Sequence, residues 1–230
     1  MTDQPTALVT GATGALAQPV ISLLEGSGWR LALITKGSTE RLRERHPDHL
    51  AATVDLTDEA NARKAIARLE EDAGGFDAVL NLAGGFAMRS AAEVRSEHVE
   101  AQLAVNLTTL VVATGAVLPG MLERERGTIV GVAAGQAVDG GARAAPYAAS
   151  KAAVVAYLRS LDKELAARGV RALVVYPMGT LDTPANRGAM PDADASKWIS
   201  TSSLAQAMVG AMELGPRARL TELKVWPDAN

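Results

Sequence analysis

The sequence predicts an α/β protein: a parallel sheet of about seven strands with helices covering both faces. Three observations carry this reading. Short apolar runs alternate with longer amphipathic stretches from one end of the chain to the other, the succession that builds a parallel sheet covered on both sides. The first apolar run leads straight into a glycine-rich turn, Thr10-Gly11-Ala12-Thr13-Gly14. Hydrophobic residues make up 48% of the chain but aromatic residues only 3%, so a large core and close helix–sheet packing are both available. At 230 residues, a single domain over 1–230 is the simplest organisation.

Each element has its own signal. Residues 6–10 read as a buried strand, and 16–28 as a helix ending at Gly28. Strands follow at 31–35 and 51–54. Residues 57–73 place Ala62, Ile66 and Leu69 at helical spacing. A fourth strand is expected at 78–82, then a long helical region over 96–124 interrupted near Pro119. A fifth strand at 127–133, a helix at 147–168, a sixth strand at 171–176, a helix at 202–214 and a last strand at 220–226 complete the pattern. Residues 182–200 break it. They are rich in Pro, Asp, Ala, Asn and Gly around Met190 and Trp198, and a long insertion after a strand is where a substrate lid sits.

Composition narrows the function. A net charge of −3 argues against a nucleic-acid partner or an anionic membrane surface. The absence of cysteine excludes disulfides and thiolate catalysis and fits a cytoplasmic setting. The first residues lack the features of a signal peptide, and no apolar run is read as long enough to cross a bilayer. His46 and His49 fall in a polar stretch beside Pro47, read as a solvated loop, and with His98 elsewhere no metal site is expected.

The chemistry lies in a few segments. Tyr147 and Lys151, four apart on a helix, project from one face. A free phenol titrates near pH ~10, and an adjacent ammonium lowers that value toward the working range, although this spacing also arises by chance. Gly11, Thr13, Gly14, Ala15 and Leu16 form a strand–turn–helix junction that lets backbone approach a pyrophosphate. After the second strand no carboxylate is available to meet the 2′-hydroxyl of NAD. Lys36 stands there instead and could meet a 2′-phosphate, which favours NADP(H) over NAD(H), unless it is an ordinary surface charge. Asp55 and Leu56 follow the third strand, where they could meet an adenine. Ala83, Gly84 and Gly85, after Asn81-Leu82, would let a cofactor lie across the sheet edge.

In order and spacing, Thr10–Gly14, Asp55-Leu56, Asn81-Leu82-Ala83-Gly84, Asn106-Leu107, Gly127-Thr128-Ile129-Val130 and Tyr147-Ala148-Ala149-Ser150-Lys151 resemble the short-chain dehydrogenase/reductase family. The resemblance implies a Rossmann-type doubly wound domain, a homodimer or homotetramer, and hydride transfer between NAD(P)H and a small-molecule substrate. It implies Tyr147 as general acid/base, Lys151 as ribose ligand and tuner of the phenol, and Asn106 as holder of a relay water. It adds Pro177, Gly179, Thr180, Leu181 and Thr183 to the cofactor contacts. The family's catalytic serine is missing, because its position carries Ala134.

A closer resemblance is to the quinonoid dihydropteridine reductase subgroup. It rests on Ala83–Phe86, Thr180-Leu181-Asp182-Thr183-Pro184-Ala185-Asn186-Arg187, Met190–Asp194, Trp198 and the absent serine. That subgroup carries an aspartate after the second strand and typically lacks the asparagine at 106, so this chain departs from it twice. The resemblance implies a conjugated or carbonyl substrate between Phe86, Met190 and Trp198, although each of these could instead be a core residue, Met190 and Trp198 equally so. Alternatives are a regulatory nucleotide-binding protein of the same fold, or an ordinary carbonyl or acyl-thioester reductase.

Overall fold

The computed structural model describes residues 4–215 and 217–228. In chain order the elements are β1 (Thr6–Thr10), α1 (Ala17–Gly26), β2 (Arg30–Thr35), α2 (Glu40–Arg45), β3 (Leu50–Thr53), α3 (Glu59–Ala73) and β4 (Ala78–Asn81). Then come α4 (Ser96–Leu103), a π-helical segment (Ala104–Thr108), α5 (Thr109–Glu123), β5 (Gly127–Val132), α6 (Gln136–Asp139), α7 (Ala145–Leu165) and β6 (Val170–Pro177). The last are β7 (Leu181–Asp182), α8 (Pro184–Ala189), β8 (Ile199–Ser200), α9 (Thr201–Met212) and β9 (Glu222–Val225).

Seven strands form one parallel sheet in the order β3-β2-β1-β4-β5-β6-β9. The chain winds outward from β1 to β3, returns to β4, and then winds outward the other way. The reversal opens a crevice between β1 and β4 at their C-terminal ends, where a doubly wound sheet binds ligands. Ile66, Val117 and Leu158 of α3, α5 and α7 cover one face, and Val20, Ile21 and Met208 of α1 and α9 cover the other. Local chemistry sets the boundaries. Asp58 accepts from the Asn61 amide to cap α3, and Gly74, at φ 79°, ends it in the left-handed conformation.

Several expectations need correction. Pro119 does not interrupt its helix. A proline leaves the carbonyl four residues earlier without its helical donor, but here that carbonyl, Gly115 O, accepts from the Arg63 guanidinium at 3.0 Å. The irregularity falls instead on the π-helical segment. Helix therefore runs unbroken over Ser96–Glu123, long and apolar enough to span a membrane by length and composition, contrary to the sequence reading. Leu110, Val112, Val117 and Met121 of that helix are buried in the core. His46 and His49 are not in a solvated loop: their side chains are only 10% and 11% exposed and converge on Glu25 Oε1 at 2.5 and 3.2 Å. The short helix α2 was hidden in that stretch by its run of charges.

Candidate active site

The crevice is built from the end of β1. Gly11 sits at φ +62°, and a Cβ there would lie 2.9 Å from the backbone of Ala83, so only glycine lets β1 and the β4 loop meet. Thr10 Oγ1 accepts from the amides of Leu82 and Ala83, both at 3.0 Å, and fixes that loop. Helix α1 begins without a side-chain cap; the Ala17 N–H donates to Gly14 O and Pro19 carries none, so the Gln18 N–H is the one in that first turn left to a pyrophosphate. A cleft of about 500 Å³ opens beside it, lined by Gly11, Thr13, Lys36, Asp55, Leu56 and Gly84 among others. The glycines admit a close backbone approach beside the start of α1, so these residues fit a dinucleotide. Gly14, Ile34, Val54 and Ala83 share the cleft, whereas Ala15 and Leu16 lie at the turn into α1.

Lys36 and Asp55, which the sequence assigns to different parts of the cofactor, touch each other: Nζ lies 2.9 Å from Oδ2. Asp55 also accepts from Thr57 Oγ1 at 2.6 Å and Thr57 N at 3.0 Å. The Thr57 hydroxyl, and after it Lys36, hold the Asp55 carboxyl down at about 2.

The catalytic candidates meet where α7 crosses the crevice. Pro146 starts that helix, and Tyr147 lies in its first turn. Lys151, one turn on, is buried and donates to Val132 O at 2.8 Å. Its Nζ stands 6.0 Å from the centre of the Tyr147 ring. Burial pushes the Tyr147 phenol up to about 12 and the Lys151 ammonium down to about 8. The expected lowering of the phenol is therefore not what this geometry produces, because loss of water outweighs an ammonium that bonds to a carbonyl instead. Phe86 closes on the Tyr147 ring edge-to-face, with centroids 4.7 Å apart and planes at 89°.

Asn106 lies in the π-helical segment. Its Oδ1 accepts from Gly85 N at 3.0 Å, and its Nδ2 faces Gly85 O at 3.0 Å, Ser150 Oγ at 3.0 Å and Gln102 Oε1 at 3.4 Å. This side-chain amide clamps the Gly84–Phe86 turn. Ser150 and Gln102, which support the clamp, were not singled out from sequence. The signal was there: Ser150 lies within Tyr147–Lys151, and Gln102 is one helical turn before Asn106.

Ala134 is buried just past β5, its neighbours Ala133 and Gly135 bonded to the carbonyls of Val175 and Pro177. The 182–200 insertion is an arch. β7 pairs with β8, Thr183 caps α8, and Arg187 grips Asp182 through two bonds of 2.6 and 2.8 Å. Pro177 ends β6, Gly179 abuts Pro227, and Thr180 O accepts from Ile199 N at 2.9 Å. Leu181 forms β7. Met190 ends α8 and Trp198 precedes β8. Of the three expected substrate walls, Phe86 is the one that stacks on Tyr147.

A parallel doubly wound sheet with a glycine turn at its switch point, and a tyrosine–lysine pair beside it, defines a dinucleotide-dependent oxidoreductase. The family profile described as short chain dehydrogenase matches residues 5–194, and the chain belongs to that family. An uncharacterized oxidoreductase of Staphylococcus saprophyticus is 30% identical over 229 residues, covering 96% of both chains. The 3-oxoacyl-[acyl-carrier-protein] reductase of Bos taurus is 28% identical over 172 residues, 74% of this chain and 73% of the relative. Among solved structures, an actinorhodin polyketide ketoreductase variant with NADPH superposes with a TM-score of 0.87 at 28% identity, covering 99% of this chain and 97% of the other. ElxO with NADP bound gives a TM-score of 0.89 at 17% identity, over 96% and 97% of the two chains.

Proposed function

We propose that the chain is an NADPH-dependent reductase of a small substrate with a conjugated or carbonyl acceptor, with a quinonoid dihydropterin as first candidate. The observation that carries the reading is Ala134. A saturated ketone needs a second hydroxyl to polarise it, and here Tyr147 stands without one. A conjugated ring spreads the incoming charge and needs less help. The Leu181–Trp198 pattern points the same way.

A bound nicotinamide supplies the hydride. Tyr147 supplies the proton, and with its phenol near 12 it stays protonated across the neutral range, the form a reduction requires. Lys151 holds the nicotinamide ribose, and Asn106 holds the Gly84–Phe86 turn in register. Gly11, Thr13, Gly14, Ala15 and Leu16 receive the pyrophosphate, Asp55 and Leu56 the adenine, and Lys36 the 2′-phosphate. Ala83, Gly84 and Gly85 line the middle of the cofactor site, and Pro177, Gly179, Thr180, Leu181 and Thr183 its nicotinamide end. Phe86, Met190 and Trp198 enclose the substrate under the 182–200 arch. We place the protein in the cytoplasm as a homodimer or homotetramer, which light scattering after gel filtration would check.

The test is a panel of quinonoid dihydropterins, quinones and simple ketones with NADPH. Quinonoid or quinone turnover well above ketone turnover is expected, and Ala134→Ser should raise ketone reduction roughly tenfold by restoring a donor. Fast ketone reduction by the parent chain contradicts the Ala134 argument and favours the second reading, a carbonyl or acyl-thioester reductase, which the names of the ketoacyl and polyketide relatives support. Cofactor binding without turnover on any member of the panel would favour a regulatory protein.

A further inference from the structure

Among the described residues the large apolar side chains left exposed are Phe86, Met88, Val138, Leu214 and Trp226. Four of these five follow the C-terminal ends of β4, β5 or β9, on the side of the crevice. Scattered exposed apolar residues need no explanation, but Phe86 and Met88 share one exposed loop beside the crevice. The loop bearing Phe86 and Met88 is tied to the loop after α6: Arg89 N–H donates to Arg143 O at 2.7 Å. Arg143 adopts φ 61°, the left-handed region that is unusual for a residue other than glycine. Such backbone persists where its surroundings hold it and concentrates at functional sites.

Both arginines are exposed. Arg187 and Arg95, the other arginines of these rim segments, are engaged by Asp182 and by the carbonyls of Ala92 and Val94. Neither Arg89 nor Arg143 has a side-chain partner among the described residues. Arg89 lies three residues after Phe86 and Arg143 four before Tyr147. Four residues of extended chain span at most ~14 Å, so the Arg89 and Arg143 backbones, bonded to each other, lie within that reach of the Phe86 and Tyr147 backbones. Asp139 of α6 is the nearest acidic residue in sequence to Arg143, and it pairs with neither.

We propose that Arg89 and Arg143 form a recognition subsite for an anionic group on the substrate, with Phe86, Met88 and Val138 as an apolar bed between that group and Tyr147. The proposal rests on the reductase site described above and narrows its substrate class to a flat acceptor on an apolar body ending in a carboxylate or phosphate. Guanidinium is suited to either group because its fork donates two parallel hydrogen bonds.

The test is binding to the full chain loaded with NADP⁺, read by calorimetry with three probes of one shape: 2-naphthoate, 2-naphthyl phosphate and the neutral 2-acetonaphthone. At least one anion should bind roughly tenfold or more tighter than the neutral probe, with the gap narrowing as salt rises. The tighter of the two anions identifies the group as carboxylate or phosphate. The gap should close in Arg89→Gln/Arg143→Asn, where asparagine tolerates the left-handed backbone, while NADP⁺ affinity and thermal midpoint stay at parent values. Arg89→Lys/Arg143→Lys should keep part of the gap. Equal binding of neutral and anionic probes to the parent, or a gap that survives in the Gln/Asn variant, would overturn the subsite. Tyr147→Phe should keep the gap. Loss of the gap with Tyr147-dependent turnover intact therefore removes only the subsite, whereas an intact gap without turnover removes only the reductase reading.

Discussion

At the N-terminal edge of the sheet, Arg126 meets Asp77 at 2.6 Å, and the same carboxylate accepts from Thr6 N at 2.9 Å. Arg171 donates to Thr128 Oγ1 and to the carbonyls of Met212 and Leu214, and Trp29 donates to Glu213 at 2.9 Å. At the C-terminal edge, Lys151 is buried against a carbonyl with no carboxylate beside it, Arg89 and Arg143 stand unpaired among the described residues, and Phe86 and Met88 face solvent. The first edge satisfies these groups, whereas the crevice edge pairs Lys36 with Asp55 and Arg187 with Asp182 but leaves Arg89 and Arg143 available. Substitutions at the first should register as stability, and at the second as activity, with stability neutral or improved.

The sharpest way to break this comparison is Lys151. Its folded pKa of about 8 lies below its ordinary 10.5. A lysine depressed in this way costs stability below pH 8, and the cost fades as pH rises toward 10.5, because the unfolded chain keeps its proton longer. Lys151→Met should therefore stabilise the fold near pH 7, by on the order of 1–3 kcal/mol, while turnover falls by ~10²-fold or more. Denaturant melts beside steady-state rates check both. In the parent, turnover should decline as pH rises through the same region near 8, where the ammonium is lost.

Asp77→Ala probes the other edge. It strands the buried Thr6 amide, while the exposed Arg126 guanidinium returns to water, and should cost about 1–3 kcal/mol in chemical denaturation. Turnover per folded molecule should stay at the parent level. A smaller effect is expected at Lys36, which is exposed and already paired with Asp55. Lys36→Ser should weaken NADPH binding by roughly threefold to tenfold relative to NADH, and added salt should shrink the parent's preference in equilibrium titrations.

Most of the sheet was legible because residues 7–9 of β1, 78–80 of β4 and 172–175 of β6 are buried on both faces and so appear as short apolar runs. The glycine turn was legible because Gly11 has no alternative beside Ala83. What stayed hidden depended on partners distant in sequence. Arg63, 52 residues from Gly115, lets the helix pass Pro119. Glu25 draws in two histidines that look like loop residues. The phenol's upward shift depends on burial and on where the Lys151 proton donor points, neither of which a four-residue spacing contains. The Lys36–Asp55 pair likewise joins residues from two strand ends that are adjacent only once β2 and β3 lie side by side.

The most direct measurement is single-turnover hydride transfer from NADPH to the best acceptor of the panel, in the parent and in Tyr147→Phe. That change removes one oxygen and keeps the ring that Phe86 stacks against, so NADPH affinity and the thermal midpoint should be unchanged. Transfer should slow by ~10²–10⁴-fold. A Tyr147→Phe protein that reduces the acceptor at the parent rate would contradict the account, because the proton would then come from water or another group and the pair at the head of α7 would not be the catalytic one.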